Sequence, residues 1–315
     1  MTGSADDKER AALLPLPPGE GRGEGGCKRQ VTSGSDQANT GNGSPGGLSL
    51  TPALSRRERE RTHAFKVLIL GGTTEASAIA RALADDARFQ PVLSLAGRTR
   101  APVTPPIPWR TGGFGGAHGL AAYLQAEGMK ALIDATHPFA ARISRNAVEA
   151  ASIAAMPHLA VLRPAWTAQP SDRWTEVPSM AAAMDALGPQ PRRVLLTVGQ
   201  QELAPFAAAP WHDYLIRSVE PPPPTLLPPG ARSFTARGPF TENDERQLLR
   251  DERIQAIVTK NSGGAATAAK LAAARSLDIE VIMVARPPAP PGTVPSASAA
   301  LAWLHQLAAG CERGA

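Results

Sequence analysis

From residue 65 onward, short apolar runs alternate with helix-forming stretches, and this alternation constrains the fold more than any other feature of the chain. The apolar runs are KVLIL (66–70), PVLSLA (91–96), ALIDAT (131–136), HLAVLR (158–163), RRVLLTV (192–198), DYLIRSV (213–219), QAIVTK (255–260) and EVIMVA (280–285). Helical patterns at 74–86, 117–127, 139–155, 178–187, 241–251 and 263–277 separate most of them. Strands that are apolar almost throughout and joined through helices belong to a parallel sheet covered on both faces. Eight such strands, with a Pro-rich break near 164–170, fit two sheets better than one. The expected fold class is α/β: two Rossmann-like, doubly wound parallel-sheet domains with a cleft between them, at 64–165 and 166–310. A last helix, about 296–309, is expected to pack back onto one half, and PPPP (221–224) and PPAPPG (287–292) read as loops.

Residues 1–63 are different in kind. They are rich in Gly, Pro, Ser and Arg, lack periodicity, and cannot bury enough surface to offset the entropy of ordering. No apolar core follows the charged start, so they do not read as a signal peptide. LPLPPGEGRGEG (14–25) set against SLTPALSRRERE (49–60) in reverse pairs at every position through reverse-complementary codons: Leu14 with Glu60, Pro18 with Arg56, Gly25 with Ser49. The segment is therefore expected to be a translated inverted repeat or a mis-called start, a disordered extension with no function of its own.

Composition narrows the function. A hydrophobic content of 43% supports a real core, and no apolar run approaches the roughly 20 residues that span a bilayer. The net charge of +5 is modest and its arginines are scattered, which suits an acidic small molecule better than a nucleic-acid face. The two cysteines, Cys27 and Cys311, sit near opposite ends without a C-x-x-C, and the six histidines lack ligand spacing. A cytoplasmic protein is expected, with no metal and no membrane or nucleic-acid partner.

The polar residues gather where strands end. After the first strand, GGTTE (71–75) has the outline of a nucleotide-binding turn: Gly71 and Gly72 let backbone approach a ligand, and Thr73 and Thr74 open a helix whose amides favour an anion. Glu75 in the first helical turn would repel a pyrophosphate, so the turn also reads as a simple threonine-capped bend. The second strand ends SLAGRTR, placing Arg98, Thr99 and Arg100 where a Rossmann unit selects its ribose; arginine there accommodates a 2′-phosphate, pointing to NADP, or is a solvated loop charge. TGGFGG (111–116) is a glycine-rich loop for close backbone approach or a flexible connector. DATHPF (134–139) puts Asp134, Thr136 and His137 at a strand tip, where open α/β sheets bind ligands. In the second half, RSVE carries Arg217, ARGPFTENDE contains Arg237, and VTKNSGG (258–264) presents Lys260, Asn261, Ser262, Gly263 and Gly264 ahead of an alanine-rich helix. That last loop is an anion cradle at a helix N-terminus or merely a capped helix start.

Short-chain dehydrogenase chemistry is excluded, because Tyr123 and Tyr214 have Glu127 and Ser218 four residues on instead of lysine. No G-x-S-x-G elbow occurs.

Taken in order, GGTTEA, SLAGRT, GGFGG, DATHPFA, RPAW (163–166), RSVEPP, RGPFT, KNSGG and VARP resemble the precorrin-6A reductase family of cobalamin biosynthesis, over about residues 66–287. The 63-residue extension departs from the family pattern. The resemblance implies NADPH as cofactor, a tetrapyrrole as substrate held between two Rossmann-like domains, and reduction of the C18–C19 double bond of precorrin-6A. It implies cofactor contacts from Gly71, Gly72, Thr73, Thr74, Arg98, Thr99 and Thr136. It also implies substrate contacts from Arg142, Arg163, Arg217, Arg237, Asn261, Ser262, Gly263 and Gly264, since a macrocycle with many carboxylate arms needs cations. Asp134, His137 and Lys260 are the candidate proton donors, unranked by sequence. Three other readings stand beside this one: the cobalt-bearing substrate of the anaerobic route, an NADP-dependent reductase of a small acid, and a non-catalytic NADP-binding module.

Overall fold

The eight apolar runs all form strands in the computed structural model, which describes residues 64–97 and 104–313, the side chains of 311–313 excepted. The inverted-repeat segment, and Arg98, Thr99 and Arg100, lie outside the described residues. The strands are β1 (Phe65–Leu70), β2 (Phe89–Leu95), β4 (Ala131–Asp134), β5 (His158–Val161), β7 (Arg193–Thr197), β8 (Asp213–Ser218), β10 (Ala256–Lys260) and β11 (Glu280–Val284). Four short ones join them: β3 (Trp109–Thr111), β6 (Trp174–Val177), β9 (Arg232–Thr235) and β12 (Thr293–Val294). The α-helices are α1 (Thr74–Leu83), α2 (Ala117–Ala126), α3 (Ala141–Ile153), α4 (Met180–Ala186), α5 (Glu242–Asp251), α6 (Ala269–Ser276) and α7 (Ala297–Arg313).

The strands make two six-stranded parallel sheets, ordered β3-β2-β1-β4-β5-β12 and β9-β8-β7-β10-β11-β6. The first is the Rossmann order; the second repeats it over five strands, but its sixth position is taken by β6, which precedes the others in the chain. The switch points lie between β1 and β4 and between β7 and β10. Side-chain alternation builds both layers at once. Val67 and Ile69 of β1 join Ile79, Leu83 and Leu304 on one face, while Leu68 and Leu70 join Leu120, Leu124 and Ala147 on the other. In the second sheet Val194, Leu196 and Val258 meet Phe206 and Tyr214, and Leu195 and Ile257 meet Leu249 and Leu271. Each such fully buried aliphatic side chain contributes about 1.5–3 kcal/mol.

The chain crosses between the sheets twice. Residues 162–173 lead from β5 into β6, which pairs with β11 in the second sheet, and residues 285–292 lead back from β11 to β12, which pairs with β5. Helix α7 then lays Ala300, Leu304 and Ala308 into the core of the first sheet, beside α1. The expected span 166–310 for the second domain is corrected accordingly. Residues 293–313 complete the first sheet, because the apolar stripe of α7 covers a face of that sheet which α1 alone leaves open. Both sheets lie within one compact unit. Among the described residues, no helix is long and apolar enough to cross a membrane, and no cluster of His, Cys, Asp and Glu could hold a metal ion.

Candidate active site at the meeting of two switch points

Loops leaving the carboxyl ends of the two sheets touch at their switch points. In the first sheet the turn after β1 begins with Gly71, whose added Cβ would stand 2.7 Å from Leu93 Cδ1, so a larger residue there would push the leucine side chains of β2 aside. Gly72 has φ +118 and open space where a Cβ would be. Thr73 caps α1: its Oγ1 accepts from the Ala76 amide at 3.2 Å and donates to the Ala135 carbonyl at 2.7 Å. One hydroxyl thus fixes both the helix start and the loop after β4. Thr74 Oγ1 donates to Glu75 Oε2 at 3.2 Å.

Gly112, Gly115 and Gly116 also have positive φ, and together with Gly113 they meet nothing within 4 Å of an added Cβ. The rim formed by Gly72 and the loop after β3 is therefore open backbone. Arg110 braces that loop, donating to Ser94 Oγ at 3.0 Å and the Gly112 carbonyl at 3.2 Å, with its guanidinium 4.0 Å from the Phe114 ring centre.

After β4, buried Asp134 accepts from the Thr136 amide at 3.1 Å and the Thr136 hydroxyl at 2.6 Å. His137 Nδ1 accepts from the Phe139 amide at 3.2 Å, which leaves the ring proton on Nε2. Burial pushes the imidazole down to about 4, and Lys260, Arg163 and Arg286 push the same way against Glu75. At neutral pH His137 is an uncharged N–H donor. Phe139 reaches across and packs against the core of the second sheet, and the Lys260 Nζ sits 5.2 Å from its ring centre. Lys260, at the tip of β10, pairs with Glu202 at 3.3 Å.

Other candidates are committed to holding the halves together. Arg163 donates Nε to the Ser262 carbonyl at 2.7 Å and Nη1 to Glu75 at 2.7 Å. Burial raises the Glu75 carboxyl, but its own backbone amide and Arg163 outweigh this and hold it below the usual range. The carboxylate that would repel a pyrophosphate is thus neutralised in place. Asn261 clamps Trp166 with both amide atoms, at 2.8 and 3.0 Å, and Arg286 donates to the carbonyls of Asn261, Arg163 and Pro164. Gly263, at φ +67, has no room for a Cβ because the Pro164 carbonyl and Arg286 lie against it. The close approach that Gly263 serves in this loop is that of the chain's own crossing. Arg217 likewise forms a buried pair with Glu245 and stacks at 4.3 Å on Phe240. Arg142 and Arg237 are exposed, and no hydrogen bond or ion pair of either is seen among the described residues.

Sequence reasoning assigned no role to Arg110, Glu202 or Arg286. Arg286 lies in the VARP motif and Glu202 repeats the Gly-x-x-Glu spacing of the first turn, so both left a signal.

All of these residues fall inside 66–305, the stretch that matches the family described as precorrin-6x reductase CbiJ/CobK. The chain belongs to that family. The precorrin-6A reductase of Sinorhizobium sp is 53% identical over 243 residues, which is 77% of this chain and 92% of that protein. That of Rhodococcus erythropolis is 46% identical over 244 residues, 77% of this chain and 98% of the relative. A solved structure of CobK precorrin-6A reductase is 49% identical, with a TM-score of 0.73, over 77% of this chain and 97% of that one. The cobalt-precorrin-6A reductase of Priestia megaterium is more distant, 31% identical over 55% of this chain and 71% of its own length. A nicotinamide cofactor is one group that could supply hydride to such a reductase. The open glycine rim and the neutralised Glu75 fit such a group at the first switch point.

Proposed function

We propose that the chain reduces the precorrin-6A macrocycle to precorrin-6B, at the C18–C19 double bond, with NADPH as the reductant. The observation that supports the reading is the junction of the two switch points, where Arg163 ties Glu75 of the first glycine turn to the Ser262 carbonyl and Lys260 at the tip of β10 stands against Phe139 from the loop after β4. A bound nicotinamide supplies hydride; the chain must hold it, hold the macrocycle, and supply a proton to the neighbouring carbon.

We rank the three candidate donors by their surroundings. Asp134 faces the N–H and O–H of Thr136 and serves as an acceptor. His137 is uncharged at working pH, a hydrogen-bond donor that orients a substrate group. Lys260 carries a proton to give, and it stands beside the Phe139 ring that joins the halves. We assign it the proton transfer, with Gly72, Thr73, Thr74 and the 112–116 loop at the cofactor. Exposed Arg142 and Arg237 are the arginines available for carboxylate arms.

The test is oxidation of NADPH monitored by absorbance with metal-free precorrin-6A and with its cobalt form. Rapid turnover of the metal-free substrate is expected, and absence of turnover with both would refute the assignment. The cofactor choice rests on Arg98. Arg98→Glu should weaken NADPH binding by about 1.5–3 kcal/mol, the worth of a charge-assisted contact, while NADH binding is little changed. Equal losses for both cofactors in a fluorescence titration would remove Arg98 from the 2′-phosphate.

A further inference from the structure

The two switch points carry the same turn. Gly72-Thr73-Thr74-Glu75 lies after β1 and Gly199-Gln200-Gln201-Glu202 after β7, with the glycine at φ +118 in one and +99 in the other. Neither glycine has an atom within 4 Å of an added Cβ. Each glutamate pairs with a cation from outside its own turn, Glu75 with Arg163 and Glu202 with Lys260.

The two turns open different structures. The first leads into the ten-residue helix α1, whose N-terminal amides favour an anion. The second opens only a three-residue 3-10 turn, Gln200–Glu202, which has no comparable dipole, and Gln200 is held aside by donating to the Glu220 carbonyl at 2.6 Å. The second turn is thus poorly suited to a phosphate. Its glutamate instead reaches the ammonium of Lys260, whose side chain is 15% exposed, while the Glu202 side chain is 38% exposed and open to water.

We infer that Glu202 is a positioning residue for proton delivery: it aims the Lys260 ammonium at the junction of the two sheets and sustains its charge. The inference rests on the reading of Lys260 as proton donor. In the step, hydride from the reduced nicotinamide forms one C–H bond, and a proton from Lys260 Nζ forms the other on the adjacent carbon. The double bond is lost, the nicotinamide is oxidised, and Lys260 is left as a neutral amine. Glu202 then favours the return of a proton from solvent to that amine, because an adjacent carboxylate stabilises the ammonium. Among the described residues, Glu202 and His137 are charged or titratable groups in this neighbourhood, with Arg163, Arg286 and Glu75 sharing the field at His137.

Removing the Glu202 charge lowers the ammonium's pKa, so the alkaline limb of the kcat profile moves to lower pH. With full-length enzyme, Glu202→Gln should reduce kcat at least tenfold and shift that limb down by about one pH unit, while the Kd for NADPH stays within twofold. Glu202→Asp should recover part of both losses. An unchanged kcat and pH profile in Glu202→Gln, beside a Lys260→Met variant that has lost turnover, would overturn the role of Glu202 alone. A Lys260→Met variant with full turnover would overturn the proton-donor reading and this inference together.

Discussion

Arg217→Ala is expected to destabilise the folded protein by about 3–5 kcal/mol, the cost of breaking a buried ion pair by removing one partner. Arg217 and Glu245 are both almost fully buried, with side chains 6% and 2% exposed. Glu245 Oε1 accepts from Arg217 Nη1, whereas its Oε2 has no hydrogen-bond partner among the described residues. Truncating the arginine leaves a carboxylate without its main counter-charge and removes the cation stacked on Phe240. The remaining nearby cation is Lys270, 3% exposed, whose Nζ donates to the Thr267 carbonyl at 2.9 Å and sits 4.8 Å from the Trp166 ring centre. Burial, helped by Arg217, pushes that lysine down to about 7 against the pull of Glu245. With Arg217 gone, Lys270 becomes the natural counter-ion and its pKa rises. Replacing both partners by apolar residues, Arg217→Met with Glu245→Leu, should recover most of the loss, since no charge is then stranded. Urea unfolding of the two variants measures this. If Arg217→Ala keeps its stability but loses substrate affinity, the arginine is a ligand residue after all.

That pair shows where reading from sequence stops. A strand-tip arginine in RSVE and a glutamate at the start of a helix 28 residues later carry no mark that they face each other inside the protein. Burial of a charge depends on what the tertiary fold packs around it. The central strands were legible for the opposite reason: they are buried on both faces, and continuous apolar runs record this directly. The four strands without such a record, WRT, WTEV, RSFT and TV, lie at sheet edges, where few side chains need to be apolar. The double crossing was also hidden. Helix α7 has an apolar stripe, but a stripe does not say which sheet it covers, and its sequence position favoured the wrong one.

The site divides in the same way. Gly72, Thr73, His137 and Lys260 were found because a glycine turn, a cap and polar strand tips are local patterns with a physical meaning. In the loop 261–264 the local pattern has a second explanation beside an anion cradle. A glycine at a loop announces that backbone comes close to something, and that something turned out to be Pro164.

Gly263→Ala should accordingly be among the most damaging small substitutions in the chain. The left-handed backbone at φ +67 costs an alanine about 1–2 kcal/mol. The new Cβ would also overlap the Pro164 carbonyl and the Arg286 guanidinium, and forcing atoms into packed space costs a further 1–3 kcal/mol or so. Flexible side chains can give way, but Pro164 offers backbone, and the carbonyls of Arg163 and Pro164 are themselves held by Arg286. Relief therefore means moving the first crossing, which loosens the Asn261 clamp on Trp166 and the Arg163 bond to Ser262. The expected total is about 2–5 kcal/mol by denaturant unfolding. Gly264→Ala is the control. No left-handed backbone is needed there, and its Cβ would press on the Arg163 guanidinium at 3.2 Å by only a few tenths of an ångström and on no backbone, so a smaller loss than for Gly263→Ala is expected. Gly72→Ala supplies the other comparison, because it has open space and carries conformational strain without a clash. If Gly263→Ala is no less stable than Gly264→Ala, yet binds substrate poorly, then the loop is an anion cradle and the crossing only passes near it.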